Sequence, residues 1–150
     1  MKQDVVITKY FKTALILSGA MIGSLLIYLG VVEILRASLK PFTGLITLDN
    51  PQSLRYMFYF VAVLQIIIIR LLRGVMLKAG RSDSEDKPVI RIFHVTILTL
   101  ALAEIPALLG LVLFLLAGMN RDFYILLFVS FVLMFMFFPR INDWKSLNDL

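Results

Sequence analysis

The sequence predicts an all-α integral membrane protein, a four-helix bundle of two antiparallel transmembrane hairpins, and three observations carry that reading. The chain of 150 residues is 60% hydrophobic and 17% charged, so a soluble fold would leave a large apolar surface facing water. Its apolar residues gather into four runs, each near the length that about 30 Å of hydrocarbon demands of a helix. The Lys and Arg residues behind the net charge of +5 flank those runs and do not form a polar, aromatic-interleaved surface of the kind that binds nucleic acid. The expected partner is therefore the lipid bilayer, with no nucleic acid.

The first helix is expected at about residues 11–36. Its run from Phe11 to Leu35 follows the basic start Lys2, Lys9 and Lys12, is too long for a signal-peptide core and lacks a small-residue cleavage site, so it reads as a permanent span. The second, at about 53–78, is opened by Asn50 as N-cap and Pro51 in the first turn. The third covers about 89–117. The fourth, about 122–139, is short unless Arg140 reaches up to the interface along its own stem. Helices are required because a spanning backbone must satisfy its own hydrogen bonds, and the alternating pattern of barrel strands is missing.

Gly118 to Asp122 leave room only for a tight turn, which makes the third and fourth helices antiparallel neighbours. Residues 79–88 form a hydrophilic loop, whereas Ser38 to Gln52 carry Phe42, Leu45, Ile46 and Leu48 and are expected to lie along the interface. The spans use up the chain, which reads as a single transmembrane domain over 1–150.

Orientation follows from the positive charges near helix ends. One side receives Lys2, Lys9, Lys12, Arg70, Arg73, Lys78, Arg81, Lys87, Arg91, Arg140 and Lys145, and the other only Arg36, Lys40, Arg55 and Arg121. The richer side is expected to be cytoplasmic, which puts both termini and loop 79–88 inside, in a cell's inner (plasma) membrane. Trp144, Tyr10, Tyr56 and Tyr124 fall near the boundaries, where amphipathic aromatics settle.

The chemistry open to the chain is narrow. Without cysteine there is no disulfide, thiolate nucleophile or cysteine-ligated metal, and one histidine cannot make a multi-histidine metal site within a protomer. No paired acids or nucleophile constellation stands out, so neither an enzyme nor a cofactor is expected. His94 reads as an interfacial histidine, about 15 Å along the helix from Glu104.

Glu104 is the exception. It lies about fourteen residues from each end of the third helix, roughly 20 Å from either and close to the bilayer midplane. An ionised side chain at that depth costs about 2.5–3.5 kcal/mol on insertion scales, a cost avoided when the group holds a proton or faces other helices. It is therefore a candidate proton carrier or, equally, a neutral carboxyl that fastens helices together. Pro106, two residues on, removes the donor to the Leu102 carbonyl and should bend the helix beside the acid.

Each other helix carries a polar residue near its own midpoint: Ser24, Gln65 and Ser130. With Glu104 they would form a polar midplane layer, and Gln65, which both donates and accepts, is the best candidate to bond the carboxyl. Gly19 and Gly23 form a GxxxG step for close packing, internal or between protomers, and Gly110 offers the same on the third helix. Glu33 and Arg36, three apart, are expected to pair.

The stretch Ala101-Leu-Ala-Glu-Ile-Pro-Ala-Leu-Leu-Gly-Leu-Val-Leu-Phe-Leu-Leu-Ala-Gly118 resembles the carboxylate-bearing helix of the proteolipid, or c, subunits of rotary ATPases. The resemblance implies a proton- or cation-carrying role for Glu104 and a packing role for Gly110. It covers about eighteen residues. It stops at the second helix, whose Tyr-Met-Phe-Tyr-Phe-Val-Ala-Val-Leu-Gln-Ile-Ile-Ile-Ile is too bulky to line a tight inner ring, and the Arg-Gln-Pro type of loop is missing. The whole chain is similar to small four-helix bacterial inner-membrane proteins, a likeness that implies location and not activity. Two expectations follow: a proteolipid-like protein binding or translocating a proton or cation, possible as a homo-oligomer, or a non-catalytic scaffold subunit of a larger membrane complex.

Overall fold

The computed structural model describes residues 2–46, 50–78 and 87–141. Four helices follow one another, α1 (Lys2–Ser38), α2 (Pro51–Lys78), α3 (Lys87–Ala117) and α4 (Asn120–Met136). Three are long and apolar enough to cross a membrane, over Val5–Ser38, Pro51–Val75 and Val89–Ala117. With 17 residues, α4 is about 25 Å long, a few Å less than the hydrocarbon layer.

The helix ends differ from the sequence expectation for physical reasons. Nothing before residue 11 breaks a helix, and Ile7 and Tyr10 pack with Val89 and Phe93, so α1 starts at Lys2 with tertiary support that a hydropathy run does not register. Asn50 caps α2, its Oδ1 accepting from the Ser53 N–H at 3.3 Å. α4 stops at Met136, short of residue 139, because Pro139 disfavours the helical conformation at Phe138. Most of the hydrophilic loop, at 79–86, and Trp144 lie outside the described residues.

α3 is the hub. α1, α2 and α4 each pack against it, while α1 and α2 barely touch one another. Of the two expected hairpins, only α3–α4 is a closed pair, and the first two helices sit apart on the flanks of α3. Small residues on α3 allow this: Ala103 and Ala107 are fully buried, in a core cluster with Leu25 of α1, Ile69 of α2 and Leu133 of α4. At Gly110 a Cβ would stand 3.0 Å from the Leu126 Cβ and 3.2 Å from the Phe123 backbone, so α4 approaches α3 as closely as the missing side chain permits.

The loop after α1, expected to lie along the interface, packs on its own chain. It crosses the α3–α4 turn, where Leu45 N–H donates to Leu115 O at 2.8 Å and Ile46 N–H to Leu116 O at 3.3 Å. Two of the last-turn carbonyls that any helix leaves without intrahelical partners are thereby satisfied. Phe42 packs on Phe114, with ring centroids 4.8 Å apart. Both strands of the crossing need glycine: Gly44 has φ +98° and Gly118 φ +65°, and the backbones meet so closely that a Cβ at Gly44 would stand 2.3 Å from Leu116 O.

Candidate functional site

Pro106 has no N–H, so the Leu102 carbonyl lacks its usual donor one turn on. Gln65 of α2, 4% exposed, supplies one: its Nε2 donates to Leu102 O. The next residue, Ala107, donates its N–H to Ser130 Oγ of α4 at 2.8 Å. α3 is helical throughout, with the groups at the proline satisfied by its neighbours.

Glu104 is held by α1. Its Oε1 accepts from Ser24 Oγ at 2.6 Å and from Tyr28 OH at 2.5 Å. Ser24 and Tyr28 are four residues apart and share a helix face. The carboxyl is partly buried and has no ion-pair partner among the described residues. Thus Ser24, Gln65, Glu104 and Ser130 do gather around one turn of α3, but not as a single network. Gln65 does not bond the carboxyl, because the carbonyl freed by Pro106 takes its amide, and Tyr28, which sequence reasoning passed over, stands in its place.

The Ser24 hydroxyl has a choice. Its Oγ lies 2.6 Å from Glu104 Oε1 and 2.6 Å from Met21 O, yet a hydroxyl carries one hydrogen and two lone pairs. It can donate to an ionised carboxylate, or turn to Met21 O and accept the proton of a neutral carboxyl, with no heavy atom moving. Among the described residues no group of three His, Cys, Asp or Glu side chains gathers.

A second polar cluster was not expected. Asp122, in the first turn of α4, is buried with its Oδ1 2.8 Å from Arg55 Nε and 2.8 Å from Tyr59 OH. Arg55 also lies over the Tyr59 ring at 5.8 Å. The available signal was the four-residue step from Arg55 to Tyr59, which puts both on one face of α2. Across the bundle, Glu33 and Arg36 pair at 3.7 Å as their spacing suggests, and both also engage Tyr124 of α4. α4 is thus tied to α2 and α1 at the same end.

The remaining sequence candidates are peripheral. A Cβ at Gly19 or Gly23 would meet nothing within 4 Å, so among the described residues the GxxxG step of α1 packs against no other helix. His94 is exposed, with Nδ1 2.8 Å from Ile90 O. Compared with protein-family models, curated proteins and solved structures, the chain finds no match in any of the three. The likeness of α3 to a proteolipid helix therefore stands on its own eighteen residues.

Proposed function

We propose that the protein is a non-catalytic, four-span membrane protein of the inner (plasma) membrane, with both termini cytoplasmic, acting as a structural or scaffold subunit built around α3. One observation carries this reading: the midplane polar residues all serve contacts to α3. Glu104 takes two hydroxyls from α1, Gln65 of α2 takes the Leu102 carbonyl, and Ser130 of α4 takes the Ala107 N–H. In hydrocarbon such bonds replace the hydrophobic drive that holds soluble bundles together. The arginine-bearing clusters at Asp122 and Glu33 secure α4, the helix too short to rely on length alone.

A second reading, favoured by the two acceptors facing the single Ser24 hydrogen, is that Glu104 binds and passes a proton. The two readings part on one set of measurements in reconstituted vesicles. The scaffold reading expects no proton flux above that of empty vesicles, and a Glu104→Leu variant that unfolds more easily than the wild type. Proton flux that Glu104→Gln abolishes, together with pH-dependent labelling of Glu104 by a hydrophobic carbodiimide, would replace it with the second reading.

A further inference from the structure

Where α1 and α3 begin and α2 ends, the bundle carries Lys9, Lys12, Arg70, Arg73, Arg91 and Arg140. The carboxylates whose side chains are described, Glu33, Glu104 and Asp122, lie at mid-depth or towards the other end. Even with Asp4, Asp83, Glu85, Asp86, Asp143 and Asp149 counted, the basic residues of this end outnumber the acids. An excess of positive charge at a membrane surface attracts anionic headgroups, worth about 1 kcal/mol per Lys or Arg.

Within this end, Val5, Thr8, Lys9 and Lys12 share one face of α1 at i, i+3, i+4 and i+7 and border a wide, open hollow. Lys9 and Lys12 are exposed, and neither pairs with a carboxylate among the described residues. Their depth can be reckoned from Ser24, bonded to the midplane carboxyl. At 1.5 Å per residue Lys12 is roughly 18 Å and Lys9 roughly 22 Å from Ser24 along the axis. Headgroups occupy the layer from about 15 to 22 Å from the bilayer centre. Arg36, also twelve residues from Ser24, brackets the hydrocarbon on the opposite side by the same distance.

We propose that this face of α1 binds the phosphate-bearing headgroup of an anionic phospholipid of the inner leaflet. The two ammonium groups meet the phosphodiester, and Val5 supplies an apolar wall. The proposal rests on the reading of α1 as a span, which has its own control: tags at the N-terminus and in the loop between α1 and α2, if protected from protease on opposite sides of reconstituted vesicles, test that span alone.

The test is native mass spectrometry of the full chain from mixed micelles of phosphatidylglycerol and phosphatidylcholine. The wild type is expected to retain phosphatidylglycerol in preference. Lys9→Gln/Lys12→Gln should lose that preference about 5-fold per lysine, whereas Lys9→Arg/Lys12→Arg and, at the far end, Lys40→Gln should keep it. Undiminished retention by the double Gln variant overturns the proposal. So does displacement of the lipid by millimolar inorganic phosphate, which would mark a site for the free ion.

Discussion

Gln65 on α2 and Leu102 on α3 are joined across the helix interface by a hydrogen bond that fills the carbonyl Pro106 leaves without an intrahelical donor. The two residue choices are coupled: proline at 106 creates a need deep in the bundle, and an amide at 65 meets it.

That coupling is measurable. Gln65→Leu should destabilise the protein in mixed micelles by up to about 1 kcal/mol, at the low end for a membrane hydrogen bond. The low value is expected because Gln65 Oε1 is buried without a partner, so removing the amide also removes an unmet acceptor. In a Pro106→Ala background the carbonyl regains its own helical donor, and Gln65→Leu should cost close to nothing or stabilise. Equal costs in the two backgrounds, read by reversible unfolding, would separate the two residues.

The crossing of Gly44 and Gly118 gives a second prediction. An Ala at either position must hold a left-handed conformation, at about 1–2 kcal/mol, and must also push apart two backbones. At Gly44 the added Cβ would lie 2.3 Å from Leu116 O, and at Gly118 2.8 Å from the Thr43 carbonyl carbon. Gly44→Ala should therefore cost more than Gly118→Ala, both above about 2 kcal/mol once overpacking is included. Gly19→Ala, where a Cβ meets nothing within 4 Å, should instead raise stability by about 0.4–1 kcal/mol, as a clash-free alanine in a helix interior does.

Much of this architecture is legible from residue type alone. Hydropathy marks the three helices that are long and apolar enough to cross a membrane, Asn50 announces its cap, and Pro106 announces a carbonyl in need. What hydropathy cannot supply is partnership, since lipid tails and neighbouring helices are equally apolar. It follows that the sequence offers no sign that α1 and α2 stand on separate flanks of α3. The choice of Tyr28 over Gln65 as the partner of Glu104 turns on which face of each helix meets α3, and that depends on rotations no single run of residues encodes. Asp122 follows Gly118 closely enough to suggest a turn residue, yet the short α4 draws it inside to meet Arg55.

The Asp122 cluster yields a third prediction. Arg55→Leu leaves a buried carboxylate with Tyr59 as its remaining partner, and removing one member of a buried pair is the costly case. The side chain of Arg55 is 38% exposed and its Nε meets Asp122 as an ion pair, so water moderates the loss to about 1–3 kcal/mol. Tyr59→Phe removes a hydroxyl that donates to the same carboxylate, and a hydrogen bond to a charged group is worth about 1.5–3 kcal/mol. Both costs are read by reversible unfolding. A Tyr59→Phe loss under about 0.5 kcal/mol would mean that the guanidinium alone holds Asp122.

The last prediction concerns the Ser24, Tyr28 and Glu104 set. Tyr28→Phe removes one of the two hydroxyls that Glu104 Oε1 accepts, so it should loosen α1 from α3 by about 0.5–2 kcal/mol. Ser24→Ala removes the other and should cost less, because the Ser24 hydroxyl also reaches Met21 O within its own helix. In a Glu104→Leu background neither hydroxyl has the carboxyl to meet, and both substitutions should cost close to nothing or stabilise. Reversible unfolding of the single and double variants reads the coupling. If Tyr28→Phe costs as much in the Glu104→Leu background as in the wild type, the hydroxyl and the carboxyl do not join α1 to α3.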